Sequence, residues 1–259
     1  MNGSAEIRKP LKNIMIFGDS YSTFAGYIPR GYAVYYSGAE CDNTDVRRVE
    51  ETWWYSLCCD LSLNLVRNDS WSGSTLGNTG YSGDCSKTSS FIYRMEKLES
   101  ENFFRENEID TVFIFGCTND SWANAPLGEL KLKDFSKDDL FSVCPAIGYF
   151  IGRLKEILPE SNIIFLINTE LKPQIGEAVK AASEYHGTSY IAFEKIDKRC
   201  GHPTIQGMQD IKNQIKEFLG MECPKSNESG RIGYPAGLII YFIFFLRYAS
   251  FPDRHVLPV

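Results

Sequence analysis

Short runs of apolar residues alternate with longer amphipathic stretches over most of the chain. Each run is too short for a helix and is bounded by polar or turn-forming residues, which is typical of strands buried inside a sheet. The runs cover residues 14–17, 63–66, 111–115, 163–167 and 190–193. They predict a core of five strands.

The stretches between and after these runs carry apolar residues at helical spacing. Residues 145–158 show the pattern most clearly, with an apolar stripe along one face and Pro159 at its end. The predicted helices cover residues 53–61, 91–98, 145–158, 175–185 and 205–219, the last of them capped by Thr204. Because strands alternate with helices, we expect an α/β fold: a parallel sheet of five strands with helices on both faces.

Two segments do not follow this alternation. Residues 23–51 form a long connection rich in Gly, Tyr and charge, and connections of this length are usually functional or disordered. Residues 221–259 hold a polar linker and then an aromatic, apolar run, whose uncharged part, 232–246, is shorter than the roughly 20 residues that span a bilayer. We interpret residues 1–11 as a loose leader, 12–220 as one domain and 221–259 as an apolar tail extraneous to the fold. A partner-binding or membrane-touching segment is the alternative for the tail.

Composition and charge narrow the class of protein. With 259 residues, 43% of them hydrophobic and 23% charged, the chain matches a soluble globular protein with a substantial core. The net charge of -6 argues against a nucleic-acid partner. We expect no secretion signal, because the basic residues near the N-terminus precede only a short apolar run that continues into the first strand. The eight cysteines lack close metal-ligand spacing, so we expect reduced thiols, most of them buried.

Polar segments follow three strands and precede the last helix. They are Gly18-Asp19-Ser20, Ser72-Gly73-Ser74, Gly116-Cys117-Thr118-Asn119-Asp120 and Gly201-His202-Pro203. Since the carboxyl ends of parallel strands share one edge of a sheet, a serine, a histidine, an asparagine and a free backbone amide can meet there. Acyl transfer uses this set: the serine attacks, the histidine takes its proton and the amide donors stabilise the oxyanion. The structural alternative is that these residues only form turns and helix caps.

In this order, the four segments resemble the signature blocks of the SGNH (GDSL-like) hydrolase family of esterases and lipases. The resemblance covers roughly residues 12–219 and implies that Ser20 is the nucleophile and His202 the general base. It also implies an oxyanion hole formed by the amides of Ser20 and Gly73 and by the side chain of Asn119. For the whole domain, it implies a flavodoxin-like α/β/α sandwich that hydrolyses esters without a metal or another cofactor.

Two positions depart from the family pattern, one of them mildly, because Cys117 stands where a small residue, often glycine, is common. The family usually has an aspartate three residues before the histidine, and Arg199 occupies that place here. Arginine cannot accept a hydrogen bond from the imidazole. Asp197, five residues before His202, is therefore our candidate for the third catalytic residue, and it reaches the ring only if the loop bulges. The alternative is a backbone carbonyl that orients the ring.

The sequence therefore predicts a cytoplasmic serine hydrolase that cleaves a small acyl ester of a sugar or another polar molecule. The charged and aromatic connection at 23–51 suits a polar substrate better than a lipid. The alternatives are a thioesterase or lysophospholipase of the same fold, or a catalytically inactive α/β binding module. The expected partner is a small-molecule ester, with no nucleic acid, and the tail is the one segment that we would expect to touch a membrane.

Overall fold

Residue 7 and residues 9–221 are described by the structure, which is a computed structural model. Most of the predicted leader lies outside these residues, and so does the predicted tail beyond its first residue. The predictions for both segments therefore stay predictions.

A five-stranded parallel sheet forms the centre of the fold, as the sequence predicts. The strand order is β2-β1-β3-β4-β5, the order of flavodoxin-like doubly wound sheets. All neighbouring strands in the sheet are parallel. The strands are β1 (Asn13–Gly18), β2 (Asn64–Ser70), β3 (Thr111–Phe115), β4 (Asn162–Ile167) and β5 (Ser189–Ala192).

The described part of the chain also forms α-helices, which connect these strands or follow the last one. The helices are α1 (Trp53–Leu61), α2 (Phe91–Ser100), α3 (Phe103–Glu106), α4 (Thr118–Trp122), α5 (Val143–Ile157), α6 (Pro173–His186) and α7 (Ile205–Phe218). None of them is both long and apolar enough to cross a membrane.

Alternate residues of the strands enter two separate hydrophobic cores. Met15 and Phe17 of β1 pack into the core beneath α2, α5 and α6, whereas Ile14 and Ile16 pack into the core beneath α1 and α7. This alternation follows from the two-residue period of a strand, which sends successive side chains to opposite faces. The predicted α/β/α sandwich with helices on both faces is confirmed.

The structure differs from the sequence prediction in local details. Strand β2 continues to Ser70, four residues beyond its predicted end. Its last residues, Asn68, Asp69 and Ser70, are polar but buried and hydrogen-bonded, so no hydrophobic run marks them as strand. Helices α3 and α4 were not predicted, since each is at most five residues long.

The seven cysteines of the described residues are free thiols, but only Cys85, Cys117 and Cys144 are buried, so the expectation of mostly buried thiols is wrong for this part of the chain.

Candidate functional site

The first polar segment begins at the end of β1, which lies between β2 and β3 in the sheet. Gly18 pairs with Ser70 of β2 on one side and with Phe115 of β3 on the other. A Cβ at Gly18 would overlap the Ser70 hydroxyl and lie 2.7 Å from Ser22 Cβ, so only glycine fits this close approach. The chain then turns through a short 3-10 helix, Ser20–Ser22, which carries Ser20 to the carboxyl edge of the sheet.

His202 reaches the same edge on a small antiparallel hairpin, in which Lys198–Arg199 pairs with His202–Pro203. The two residues at its tip, Cys200 and Gly201, have φ angles of 49° and 76°. Two left-handed residues in a two-residue loop are what a type I′ turn requires, and this turn matches the twist of the flanking strands. The tight turn fixes where the imidazole and the Cys200 carbonyl lie.

Ser20 and His202 contact each other although 182 residues separate them in the chain. The distance from His202 Nε2 to Ser20 Oγ is 3.0 Å, and His202 Nδ1 lies 3.1 Å from the carbonyl oxygen of Cys200. Because a carbonyl oxygen can only accept, Nδ1 carries the proton in this arrangement. Nε2 then presents its lone pair to the serine hydroxyl, which is the geometry of a nucleophile beside its base.

Aromatic rings surround the imidazole. Tyr35 stacks on His202 with ring centroids 3.6 Å apart and an angle of 8° between the planes, and Trp122 packs edge-on against it at 5.7 Å. Burial among these groups lowers the pKa of His202, and the nearby Lys198 ammonium lowers it further. The ring is therefore neutral near pH 7 and able to accept a proton.

The predicted oxyanion donors lie on segments that hydrogen-bond to one another. Asn119 Nδ2 donates to the carbonyl of Ser74 at 2.9 Å, which ties the third segment to the second beside Gly73. Gly73 itself has a φ of 80°, a left-handed conformation that favours glycine. Among the described residues, the N–H groups of Ser20 and Gly73 have no acceptor, and neither does the second hydrogen on Asn119 Nδ2.

The structure does not bring Asp197 to the imidazole, contrary to its prediction as the third catalytic residue. The carboxylate of Asp197 instead accepts a hydrogen bond from the hydroxyl of Thr204, the residue that caps α7. Arg199 is exposed. Within residues 9–221, no carboxylate hydrogen-bonds to His202, and the Cys200 carbonyl takes that position. The alternative of a backbone carbonyl is the arrangement that this structure has.

A buried ion pair beneath the site was missed by the sequence reasoning. Arg94 of α2 and Asp69 of β2 are both fully buried, with 2.7 Å between Nη1 and Oδ1. The same guanidinium donates to the carbonyl of Gly18 and to the hydroxyl of Ser74, at 3.3 and 3.2 Å. Arg94 thus connects the ends of β1 and β2 with the loop that carries Gly73. The sequence does contain a signal for it: Arg94 lies on the apolar face of α2 with Phe91, Met95 and Leu98, which indicates a buried arginine.

Two further carboxyl groups lie buried close to the site. Burial raises the pKa of Asp19 to about 7 and that of Asp120 to about 6. Asp19 accepts from the N–H of Tyr21 at 3.0 Å, and Asp120 accepts from the N–H groups of Leu76 and Gly77. These contacts hold the backbone turns that follow β1 and β2. Among the described residues, no group of three or more His, Cys, Asp or Glu side chains is placed to hold a metal ion.

The fold and the site together define a doubly wound α/β protein with a serine–histidine pair at the carboxyl edge of its sheet. The family model for GDSL-like lipases and acylhydrolases matches residues 12–219. The chain belongs to this family.

Solved structures agree with this placement. A Bacteroides ovatus protein assigned as a GDSL-like lipase is 39% identical, with a TM-score of 0.75, and the match covers 82% of this chain and 99% of that one. A Bacteroides uniformis protein assigned in the same way is 38% identical, with a TM-score of 0.74 and coverage of 81% and 96%. A family two carbohydrate esterase from Clostridium thermocellum shares the fold at 17% identity and a TM-score of 0.54, covering 83% of this chain and 66% of that one. None of the curated proteins matches the sequence.

Proposed function

We propose that this protein is a serine hydrolase that cleaves carboxylic esters through an acyl-enzyme. The observation that carries the proposal is the 3.0 Å contact between Ser20 Oγ and His202 Nε2, with Nδ1 held on the Cys200 carbonyl. A serine hydroxyl is a weak nucleophile by itself and needs a base within hydrogen-bond reach. Membership of a family of lipases and acylhydrolases supports the same chemistry.

In the proposed reaction, Ser20 Oγ bonds to the ester carbonyl carbon while its proton passes to His202 Nε2. The carbonyl electron pair moves onto oxygen, where the N–H groups of Ser20 and Gly73 and the Asn119 amide stabilise the charge. When the tetrahedral intermediate collapses, the bond to the alcohol oxygen breaks and His202 gives its proton to the leaving group. Water then attacks the acyl-enzyme by the same route, and the products are an acid and an alcohol.

We extend the proposal to a small acyl group on a sugar or another polar molecule. The connection at 23–51 borders the site through Tyr35, and Tyr32 packs against Trp71 beside Gly73, with ring centroids 4.2 Å apart and planes tilted by 34°. Aromatic faces of this kind pack against the C–H surfaces of sugars. The charged and aromatic residues of this connection suit such a substrate better than a long acyl chain, which would need a continuous apolar channel.

The test combines covalent labelling with a substrate panel. A fluorophosphonate probe should label the wild-type protein once, as measured by intact mass. It should still label Ser22→Ala, a matched control in the same turn, but not Ser20→Ala. The panel compares acetyl esters of sugars, p-nitrophenyl esters of two to twelve carbons, an acyl-CoA and a lysophospholipid. Absence of labelling would favour the inactive binding module, and preference for either of the last two substrates would favour the thioesterase or lysophospholipase.

A further inference from the structure

Tyr81 occupies the turn of a second small hairpin at the site, formed by Thr79–Gly80 and Gly83–Asp84. The residue is 56% exposed, yet its hydroxyl lies 3.1 Å from Oδ1 of the buried Asn119. The hairpin is held from behind, because Thr79 donates to the carbonyl of Phe141 at 2.7 Å. Tyr81 is therefore an exposed side chain with one fixed polar contact, and that contact is to a proposed oxyanion donor.

The hydrogen bonds on Asn119 determine what the tyrosine does. An amide oxygen only accepts, so the hydroxyl of Tyr81 is the donor in this contact. On the nitrogen side, one hydrogen goes to the carbonyl of Ser74. With both ends of the amide engaged, its plane is fixed and its second N–H points in one direction. Donation to Oδ1 also polarises the amide and strengthens that N–H as a donor.

We propose that Tyr81 is a positioning residue of the oxyanion hole, which acts by holding and polarising the Asn119 amide. The inference rests on the proposed function, since it assigns a role toward the oxyanion that Ser20 would generate. Burial raises the pKa of the Tyr81 hydroxyl, so that the group stays protonated and remains a donor across the neutral range.

The primary test is Tyr81→Phe, which removes the hydroxyl and keeps the ring. Loss of one hydrogen bond of ordinary strength, about 0.5–1.5 kcal/mol, should lower kcat about 2- to 13-fold and leave KM nearly unchanged. The matched control is Tyr185→Phe, because Tyr185 is 55% exposed on α6 and lies outside the site. Its kcat and KM should equal those of the wild type.

A double variant separates positioning from other roles. Asn119→Ala should lower kcat by about 100- to 1,000-fold, as for other single oxyanion donors. If Tyr81 acts through Asn119, Tyr81→Phe should cost nothing further in the Asn119→Ala background. An additive loss in that background, or a raised KM with unchanged kcat, would overturn the inference and place Tyr81 on the substrate.

Failure of the inference is distinguishable from failure of the proposed function. If Tyr81→Phe equals the wild type while Ser20→Ala is inactive and unlabelled, the serine hydrolase stands and the role of Tyr81 does not. If Ser20→Ala keeps the wild-type rate, the proposed function fails, and the role of Tyr81 fails with it. Melting temperatures measured for each variant ensure that the rates refer to folded protein.

Discussion

Removing Arg94 should destabilise the protein far more than removing an arginine from its surface. Arg94→Met keeps the aliphatic stem and deletes the guanidinium. The variant leaves the Asp69 carboxylate fully buried, and of its ion-pair partners in residues 9–221 it keeps Arg67 alone, whose Nε lies 2.7 Å from Oδ2. It also removes a donor from the carbonyls of Gly18 and Ser89, which the guanidinium contacts at 3.3 and 3.0 Å.

The magnitude follows from these contacts. Breaking a buried ion pair by removing one partner costs about 3–5 kcal/mol, because the remaining charge stays buried. The partly exposed Arg67 compensates some of this cost, and the Gly18 carbonyl still accepts from the N–H of Trp71, whereas the Ser89 carbonyl loses the Arg94 donor and adds to the cost. We expect a loss of about 4 kcal/mol in the free energy of unfolding. For a domain of this size, such a loss lowers Tm by about 8–16 °C.

Urea unfolding followed by fluorescence measures this loss, and Arg153→Met is the matched control. Arg153 pairs with Glu99 and Glu156 at the surface, where its side chain is 35% exposed. Exposed pairs contribute about 0–1 kcal/mol. Adding Asp69→Asn to Arg94→Met should recover part of the stability, since the unpaired charge is gone. An Arg94→Met variant no less stable than Arg153→Met would refute the reasoning.

Three further predictions concern the site. Ser20→Ala and His202→Ala should each abolish most of the activity, and the double variant should lose little more, since such pairs act as one unit. Fully additive losses in kcat would contradict the assignment. Asp197→Asn and Asp197→Ala should lower kcat far less than the roughly 10,000-fold typical of a triad acid, because this carboxylate does not contact the imidazole. A loss as large as that of His202→Ala would show that Asp197 contacts the imidazole during turnover. Burial raises the pKa of Asp19 from 3.8 to about 7. Between pH 3.8 and pH 7, the folded protein therefore keeps a proton on Asp19 that the unfolded chain has lost, and the free energy of unfolding falls as the pH rises towards 7. The melting temperature of Asp19→Asn minus that of the wild type should therefore increase from pH 5 to pH 8, and a constant difference would exclude the burial of this charge as the cause.

The sheet could be predicted from the sequence because its central strands are uniformly apolar. β1, β3 and β4 are buried along their whole length, so each reads as a continuous hydrophobic run. β2 was predicted too short because it is an edge strand with polar residues, and such residues carry no strong strand signal. The topology followed from the alternation of strands and helices, which leaves few arrangements for a parallel sheet.

The site was predictable only where side chains follow directly from strand ends. Ser20 and Asn119 lie just beyond β1 and β3, so the sheet itself brings them to one edge. The contacts of Tyr35 and Tyr81 could not be predicted, because both residues lie in long connections whose paths depend on tertiary packing. Asp197 was assigned by its distance along the chain from His202, but the type I′ turn places a carbonyl, not a carboxylate, at Nδ1.

No carboxylate of the described residues hydrogen-bonds to His202, and this changes what the other residues of the proposed site must do. A triad acid fixes the tautomer, orients the ring and stabilises the imidazolium. Here the Cys200 carbonyl fixes the tautomer, and the Tyr35 ring, parallel to the imidazole at 3.6 Å, restricts its orientation. The third task is only partly met, since an aromatic face attracts a cation weakly and the nearby Lys198 ammonium opposes the charge. In the proposed reaction, stabilisation of the transition state therefore falls mainly to the oxyanion donors, and we expect fixing the Asn119 amide to matter more here than in a site with a full triad.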